Sequence, residues 1–326
     1  MAGPTGTLGP DPDLRRELEQ VDADPEMVAF RADAAEHQAD ELTGDAAAAQ
    51  EQRRQRRFII RSLLRSPTFM VGLGIVLFWV FMGLFSTLFT QSPFAQHPFD
   101  ILAAPSAKYW FGTDSLGRDV FARTMAGART VLIIGPVATV LALLWGGTIG
   151  LIAGYHRGLT DDIMMRIVDA FLALPVIITS ILILSLLGKS VAIVIVVIGA
   201  LFTPVVSRTI RSAVIGERER EYVMAARLRG ERSAFVMARE ILPNITQPII
   251  VEGTVRLGYA VFTAATLAFL GFGLQEPSPD WGLTVAFERA NLQAAPWTVL
   301  FPAIALATLV IGINLITDGL ASTFSK

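Results

Sequence analysis

Six runs of about twenty apolar residues recur along this chain of 326 residues, and they restrict its fold more than any other feature. At 1.5 Å per residue, a helix of that length covers the ~30 Å hydrocarbon core of a bilayer. No water is available there, so the peptide groups of each run must bond among themselves, as a helix allows. The runs fall at about 67–89, 130–153, 163–187, 190–212, 248–272 and 298–320. The composition agrees, with 52% hydrophobic residues and a mean hydropathy of +0.52. Only 17% of residues are charged, against about 25% in soluble domains. The expected fold is all-α: a polytopic membrane bundle with six transmembrane helices in the lipid bilayer.

The net charge of −2 averages two opposite parts. Residues 1–51 carry thirteen acidic and three basic side chains, which leaves 24 basic and 16 acidic for the remainder. An acidic tail over 1–52, rich in Ala, Gln, Pro and Gly, is expected to be disordered, or weakly helical around 26–56. The first apolar run begins near Phe69, so no secretory signal peptide is expected. Residues 53–65, RRQRRFIIRSLLR, form a basic amphipathic collar suited to the cytoplasmic headgroups, with its arginines snorkelling. It lacks interleaved aromatics and a span follows at once, which argues against a nucleic-acid partner.

Arginine and lysine placement orients the bundle. With the N-terminus in the cytoplasm, the inner flanks hold seventeen basic residues, eight of them between Arg208 and Arg239. The outer flanks hold six: Lys108, Arg118, Arg123, Arg129, Lys189 and Arg289. The expectation is a multi-pass protein with both termini cytoplasmic.

The loop at 221–244, EYVMAARLRGERSAFVMAREILPN, is too polar to span and too patterned to be slack linker. It reads as two short helices. The first runs over about 217–229 and ends at Gly230, which tolerates positive φ. The second starts with Ser233 as N-cap and stops at Leu242, before Pro243. Tyr222, Ala225 and Ala226 share one face at i, i+3, i+4, and small residues there permit close approach of another surface.

Polar groups inside the spans are few. Asp169 lies about two turns into the third span, with Arg166 as its expected partner; Pro175 is placed to kink that span. Glu252 and Arg256 form an i, i+4 pair near the entry of the fifth. Asn314 and Asp318 lie in the sixth. The tripeptide Gly188-Lys189-Ser190 resembles the end of a phosphate-binding loop, but Ile183 stands where its first Gly is required and no strand precedes it. The chain is therefore expected to carry no ATPase. The absence of cysteine excludes disulfides, thiolate metal sites and cysteine nucleophiles. His37, His97 and His156 share no ligand spacing, so no metal is expected, and none is placed mid-span to serve an intramembrane enzyme. No catalytic residue is assigned. From composition alone, a stand-alone channel or secondary transporter is the competing class.

Three stretches carry a family resemblance. Ala225, Ala226, Gly230, Leu242 and Pro243 resemble the E-A-A, three residues, G, nine residues, I-x-L-P pattern of binding-protein-dependent ABC importer permeases; Met224 replaces its Glu and Glu240 its Ile. Residues 111–119, F-G-T-D-S-L-G-R-D, followed by Gly127-Ala128-Arg129, resemble the signature of peptide/nickel-type permease subunits. Residues 267–282, with Trp281-Gly282, and the ending with Asn314, Asp318, Gly319 and Leu320 resemble the same family.

The resemblance implies a type I importer permease core over 128–326, preceded by collar, first span and outer loop at 53–127. It makes 213–247 a cytoplasmic coupling loop with Glu221, Tyr222, Ala225, Ala226, Arg227, Gly230, Leu242 and Pro243 at the ATPase contact. It makes Phe111, Gly112, Thr113, Asp114, Leu116, Gly117, Arg118 and Asp119 a signature loop. It implies a heterodimer with a homologous permease, two cytoplasmic ATPases that hold ATP and Mg, an extracytoplasmic solute-binding protein, and no cofactor on this chain. The implied cargo is di- or oligopeptides, with nickel chelates or oligosaccharides as alternatives, moved by alternating access across a bacterial cytoplasmic membrane.

Overall fold

The computed structural model describes residues 61–324, together with Ala29. The chain divides into two compact units, Met1–Ser62 and Leu63–Lys326, and the fold below is that of the second. The acidic tail, the helix expected around 26–56 and most of the collar lie outside the described residues.

Among the described residues every regular element is helical. Helix α1, Pro67–Phe89, opens with Ser66 accepting from Phe69 N at 3.4 Å and Pro67 in the first turn, where its missing N–H costs nothing. Helix α2 runs unbroken over Val120–His156. The apolar run expected at 130–153 is only part of it, and the helix starts ten residues earlier. Asp119 caps this single helix, its carboxylate accepting from Phe121 N at 2.9 Å. Nothing interrupts it because Gly127 and Ala128 are packing residues: a Cβ on Gly127 would come within 2.4 Å of Pro279 O.

The third run is broken. Helices α3, Leu159–Leu172, and α4, Val176–Leu187, meet at 85° across Ala173–Pro175. Pro175 thus ends one helix and precedes the next, a stronger effect than the kink expected. Gly188, at φ 98°, closes α4, and the Ser190 hydroxyl accepts from Ile193 N at 3.3 Å to start α5, Val191–Arg218. Lys189 donates to Gly271 O at 2.7 Å, so all three residues of the Gly-Lys-Ser sequence have structural work.

The polar loop holds α6, Glu221–Leu228; α7, Ser233–Phe235; a π-helical turn, Val236–Ile241; and α8, Leu242–Asn244. Helix α9 follows over Thr246–Phe269, then a short α10, Trp281–Glu288, and α11, Trp297–Phe324. Four helices, α1, α2, α5 and α11, are long and apolar enough to cross a membrane, and a fifth crossing arises if the bent α3–α4 pair counts as one. At 24 residues α9 is long enough for a sixth, but Glu252, Arg256, Gln247 and several threonines make it less apolar than these.

Small residues set the helix packing. Gly146, Gly150 and Gly154 recur every four residues along α2, and Ala138 and Ala142 extend the stripe. A Cβ on these glycines would lie 2.6 Å from Thr203 O, 2.5 Å from Ser207 O and 2.9 Å from Arg211 O on α5. In lipid no hydrophobic force drives helices together, so close backbone approach and dense van der Waals contact must do it. Helix α1 meets α11 likewise, with Gly72 against Gly312 O. One apolar cluster joins α2, α5 and α9 to the polar loop through Val214, Val223, Ala226, Val236 and Ile241. A second gathers Trp79, Met125, Val261, Trp281 and Leu309 between α1, α2, α9, α10 and α11.

Candidate functional site

Two polar regions stand out. The first is a clasp built on the 111–119 stretch. Gly112 and Gly117 take φ of 73° and 70°, and a Cβ on Gly117 would sit 2.1 Å from His97 O. These positions need glycine. The Thr113 hydroxyl accepts from Ala103 N at 2.8 Å and donates to Asp100 O. Asp114 is the hub: its Oδ1 accepts from Leu116 N at 2.9 Å and Arg118 N at 2.8 Å, and its Oδ2 from Arg118 Nε at 2.6 Å. Leu116 is the one signature side chain at the surface.

Arg118 reaches across 158 residues to Glu276 Oε2 at 2.6 Å. Arg123 adds Ser278 O at 3.0 Å and Glu276 Oε1 at 3.5 Å. The Ser115 hydroxyl donates to Glu288 Oε1 at 2.6 Å, and Trp281 Nε1 to Thr124 O at 2.7 Å. Phe111 stacks on Phe301 with ring centroids 3.8 Å apart. Arg118 and Arg123 are 2% and 1% exposed. A buried guanidinium is tolerable when its charge is paired, and here two carboxylates and several carbonyls do that, although Arg123 Nε makes no hydrogen bond and has only the Asp114 carboxylate, at 3.7 Å, for its charge. The signature loop is therefore a fastening between 90–119 and 275–291. Burial pushes the carboxyls of Asp119 and Asp280 up, the latter to about 6, although backbone N–H groups at each helix start pull the other way. On the loop surface, hydrogen bonds from Lys108 and Tyr109 hold Asp100 below the usual carboxylate range.

The second region is the elbow at 219–245. Here the structure corrects several boundaries. Residues 217 and 218 end α5, and α6 starts only at Glu221. Gly230 takes φ 78° as expected. Ser233 is the first helical residue and not its cap, and helix continues past Leu242 through Pro243 to Asn244, because proline fits a first helical turn. The face also differs. Ala226 is 0% exposed, packed with Val223 against Val236 and Ile241 of the second arm. It holds the elbow's arms together. Arg227 turns inward, its guanidinium 4.7 Å above the Tyr155 ring. The Tyr222 hydroxyl donates to Glu217 Oε1 at 2.7 Å, and burial and that carboxylate raise its pKa.

Outward go Glu221, Met224, Ala225, Leu228, Gly230, Phe235, Leu242 and Pro243. Leu228, 89% exposed, and Met224, half exposed, were not singled out by spacing as contact residues. Their signal was available: apolar residues on a helix whose other face is already filled.

The remaining polar candidates are scattered. Asp169 pairs with Arg208 of α5, not with Arg166. Glu252 and Arg256 pair as expected at 2.8 Å. Asn314 and Asp318 are exposed on α11. Among the described residues no cluster of metal-ligating side chains occurs.

An all-helical polytopic bundle with a buried clasp toward one end and a charged helical elbow in its connecting loop defines a membrane-embedded transport component. The family model described as "binding-protein-dependent transport system inner membrane component" matches residues 146–326. The chain is 41% identical over 265 residues to the dipeptide transport system permease protein DppC of Alkalihalophilus pseudofirmus, across 81% of this chain and 87% of that one. It is 40% identical over 270 residues to the probable peptide ABC transporter permease protein y4tQ of Sinorhizobium fredii, across 83% and 92%. A glutathione transport system permease protein, GsiD of Pectobacterium atrosepticum, is 36% identical over 216 residues, across 66% and 72%. The chain belongs to this family of inner-membrane permease subunits of ABC transporters.

Proposed function

We propose that the chain is the translocation subunit of an ATP-driven importer of di- or oligopeptides, working by alternating access. The observation that carries the cargo is what its relatives are named for: dipeptide, peptide and glutathione transport, at 36–41% identity. The chain binds no cofactor itself; ATP and Mg sit on two separate cytoplasmic ATPases, a homologous permease completes a heterodimer, and an extracytoplasmic binding protein delivers solute. Both termini and the elbow are cytoplasmic, where the arginine bias puts them.

The elbow's surface supports the motor contact. It presents Met224, Leu228, Phe235 and Leu242 to the outside, ringed by Arg220, Arg229 and Arg232, as a groove-filling helix does. Its arms are tied to α2 and α5 by Ala226, Arg227 and Val223, so a push on the elbow travels into the bundle as rigid-body motion. The test is reconstitution of the complete transporter in proteoliposomes with uptake of a defined tripeptide, trialanine. ATP-dependent trialanine uptake is the expected result. Uptake of a nickel chelate or an oligosaccharide with none of peptide overturns the cargo; uptake by the lone chain without nucleotide overturns the class.

A further inference from the structure

The loop between α1 and α2 is firmly built, yet its tip turns two large apolar side chains outward. Asp100 is pinned through backbone and side chain. Its N–H donates to His97 O at 2.9 Å and its carbonyl accepts from the Thr113 hydroxyl. Its Oδ2 accepts from Lys108 Nζ at 2.7 Å and from the Tyr109 hydroxyl at 2.9 Å. The residues on either side of it project from the loop: Phe99 is 101% exposed and Ile101 52%. Leu102, next along, takes φ 51°, in the left-handed region that a side chain disfavours, with its N–H on Asp114 O at 3.2 Å.

A single exposed apolar residue is ordinary on a protein surface. An aromatic ring held fully outward by a hydrogen-bonded turn and a strained backbone is not. Strain of that kind persists where the surrounding contacts over-determine it, and it gathers at binding sites. The arrangement is an aromatic anchor fixed in place before any partner arrives, which spares an interface the entropy of ordering its contacts.

The arginine and lysine bias puts this loop on the outer side, where lipid, a second permease or a soluble protein could cover it. Its composition selects among them. Helix α1, whose exposed side includes Val71, Phe78, Phe81 and Phe85, carries no charged residue, as contact with acyl chains requires. At the tip, Asp100 and Lys108 stand among the apolar residues with their side chains 34% and 64% exposed. An apolar centre with a wet, charged rim is the make-up of an interface that forms and dissolves, whereas permanent interfaces are more uniformly apolar. The family to which the chain belongs is described as binding-protein-dependent, so a soluble protein is the partner that must come and go.

We propose that Phe99 and Ile101 are the anchor on which the extracytoplasmic solute-binding protein seats, with Asp100 and Lys108 as its polar rim. The clasp is its footing. Thr113, which holds Asp100, accepts at its own carbonyl from Trp297 Nε1, at the start of α11, at 3.2 Å. Asp114 beside it opens the ion pairs that run through Arg118 to Glu276. A protein seated on the tip therefore bears on α2 and α11 through bonded contacts and not through a slack loop. This inference rests on the importer reading above, which requires such a partner and assigns it no residue.

The test is binding of the transporter's own solute-binding protein, fluorescently labelled, to the complete transporter in nanodiscs. Phe99→Asp should raise the Kd about tenfold or more at an unchanged melting midpoint, because the ring is an interface anchor that supports nothing in its own fold. Ile101→Asp should weaken binding less, and Phe99→Tyr, which keeps the ring, should bind as the wild type does. Wild-type affinity in Phe99→Asp overturns the proposal. A photoreactive variant, Phe99→p-benzoylphenylalanine, is expected to crosslink to the binding protein; crosslinks to lipid or to the second permease instead overturn the proposal. Binding is read without cargo, so a wrong peptide assignment leaves it intact. If the binding protein does not bind the wild-type transporter at all, the importer reading falls and the anchor with it, an outcome distinct from wild-type binding that Phe99→Asp leaves untouched.

Discussion

The clasp and the elbow are both arginine-rich, and they use arginine in opposite ways. In the clasp, Arg118 and Arg123 are buried and bonded to Asp114, Glu276 and backbone carbonyls. In the elbow, Arg220 and Arg229 stand in solvent with only surface ion pairs. Buried, paired charge makes a rigid joint whose geometry this chain specifies alone. Exposed charge around an exposed apolar face makes a surface completed by another molecule. The first is scaffold; the second is the surface proposed above for a partner.

The contrast breaks most sharply at Arg118. Replacing it by Ala strands Asp114 and Glu276, and removing one partner of a buried pair costs about 3–5 kcal/mol. Arg118→Ala should fall well below wild type in thermal unfolding in detergent; an unchanged midpoint would show that the clasp is ornamental. Next is Ala226→Asp. A carboxylate forced against Val236 and Ile241 costs about 3 kcal/mol, so this variant should loosen the elbow itself, read as faster amide exchange over 221–245.

Asp280 sharpens the comparison through pH. Its carboxyl is raised to about 6 by burial, so the folded state holds a proton that the unfolded chain loses near 4. The stability this contributes is present below about pH 4 and is lost as pH rises through about 6. Asp280→Asn keeps an oxygen for the Leu283 N–H and removes the buried charge. It should therefore unfold above wild type at about pH 8 and match it at about pH 3; the reverse order would contradict a raised pKa. The smallest effect belongs to Arg229→Ala in the elbow, whose surface ion pairs are worth about 0–1 kcal/mol, with no resolvable change in melting expected.

Much of the architecture was legible because its signals are local. Apolar length placed the first and sixth helices within four residues at each end and the start of the fourth within one, though its helix runs six residues further, and Gly230 and Pro175 marked real breaks. What was not legible depends on distant chain. Asp114 and Arg118 are neighbours in the motif, but Glu276, which completes them, lies 158 residues beyond Arg118. Asp169 had Arg166 one turn away, and tertiary packing supplied Arg208 instead, 39 residues on. At the elbow, spacing put Ala226 on a shared small face, yet a helical period cannot say which face a second arm will cover. Val236 and Ile241 cover that one, and Met224 and Leu228 are left outward.

The central claim is that the outward face of the elbow, and not the buried clasp, is where a motor attaches. The direct measurement is affinity purification of the tagged chain from its native membrane, wild type beside Leu228→Asp, with quantification of co-purifying ATPase subunits and of the melting midpoint. The account predicts ATPases with the wild type and their loss from Leu228→Asp at an unchanged midpoint, because Leu228 touches little within its own chain. Undiminished ATPase recovery with Leu228→Asp, or none with the wild type, would contradict it.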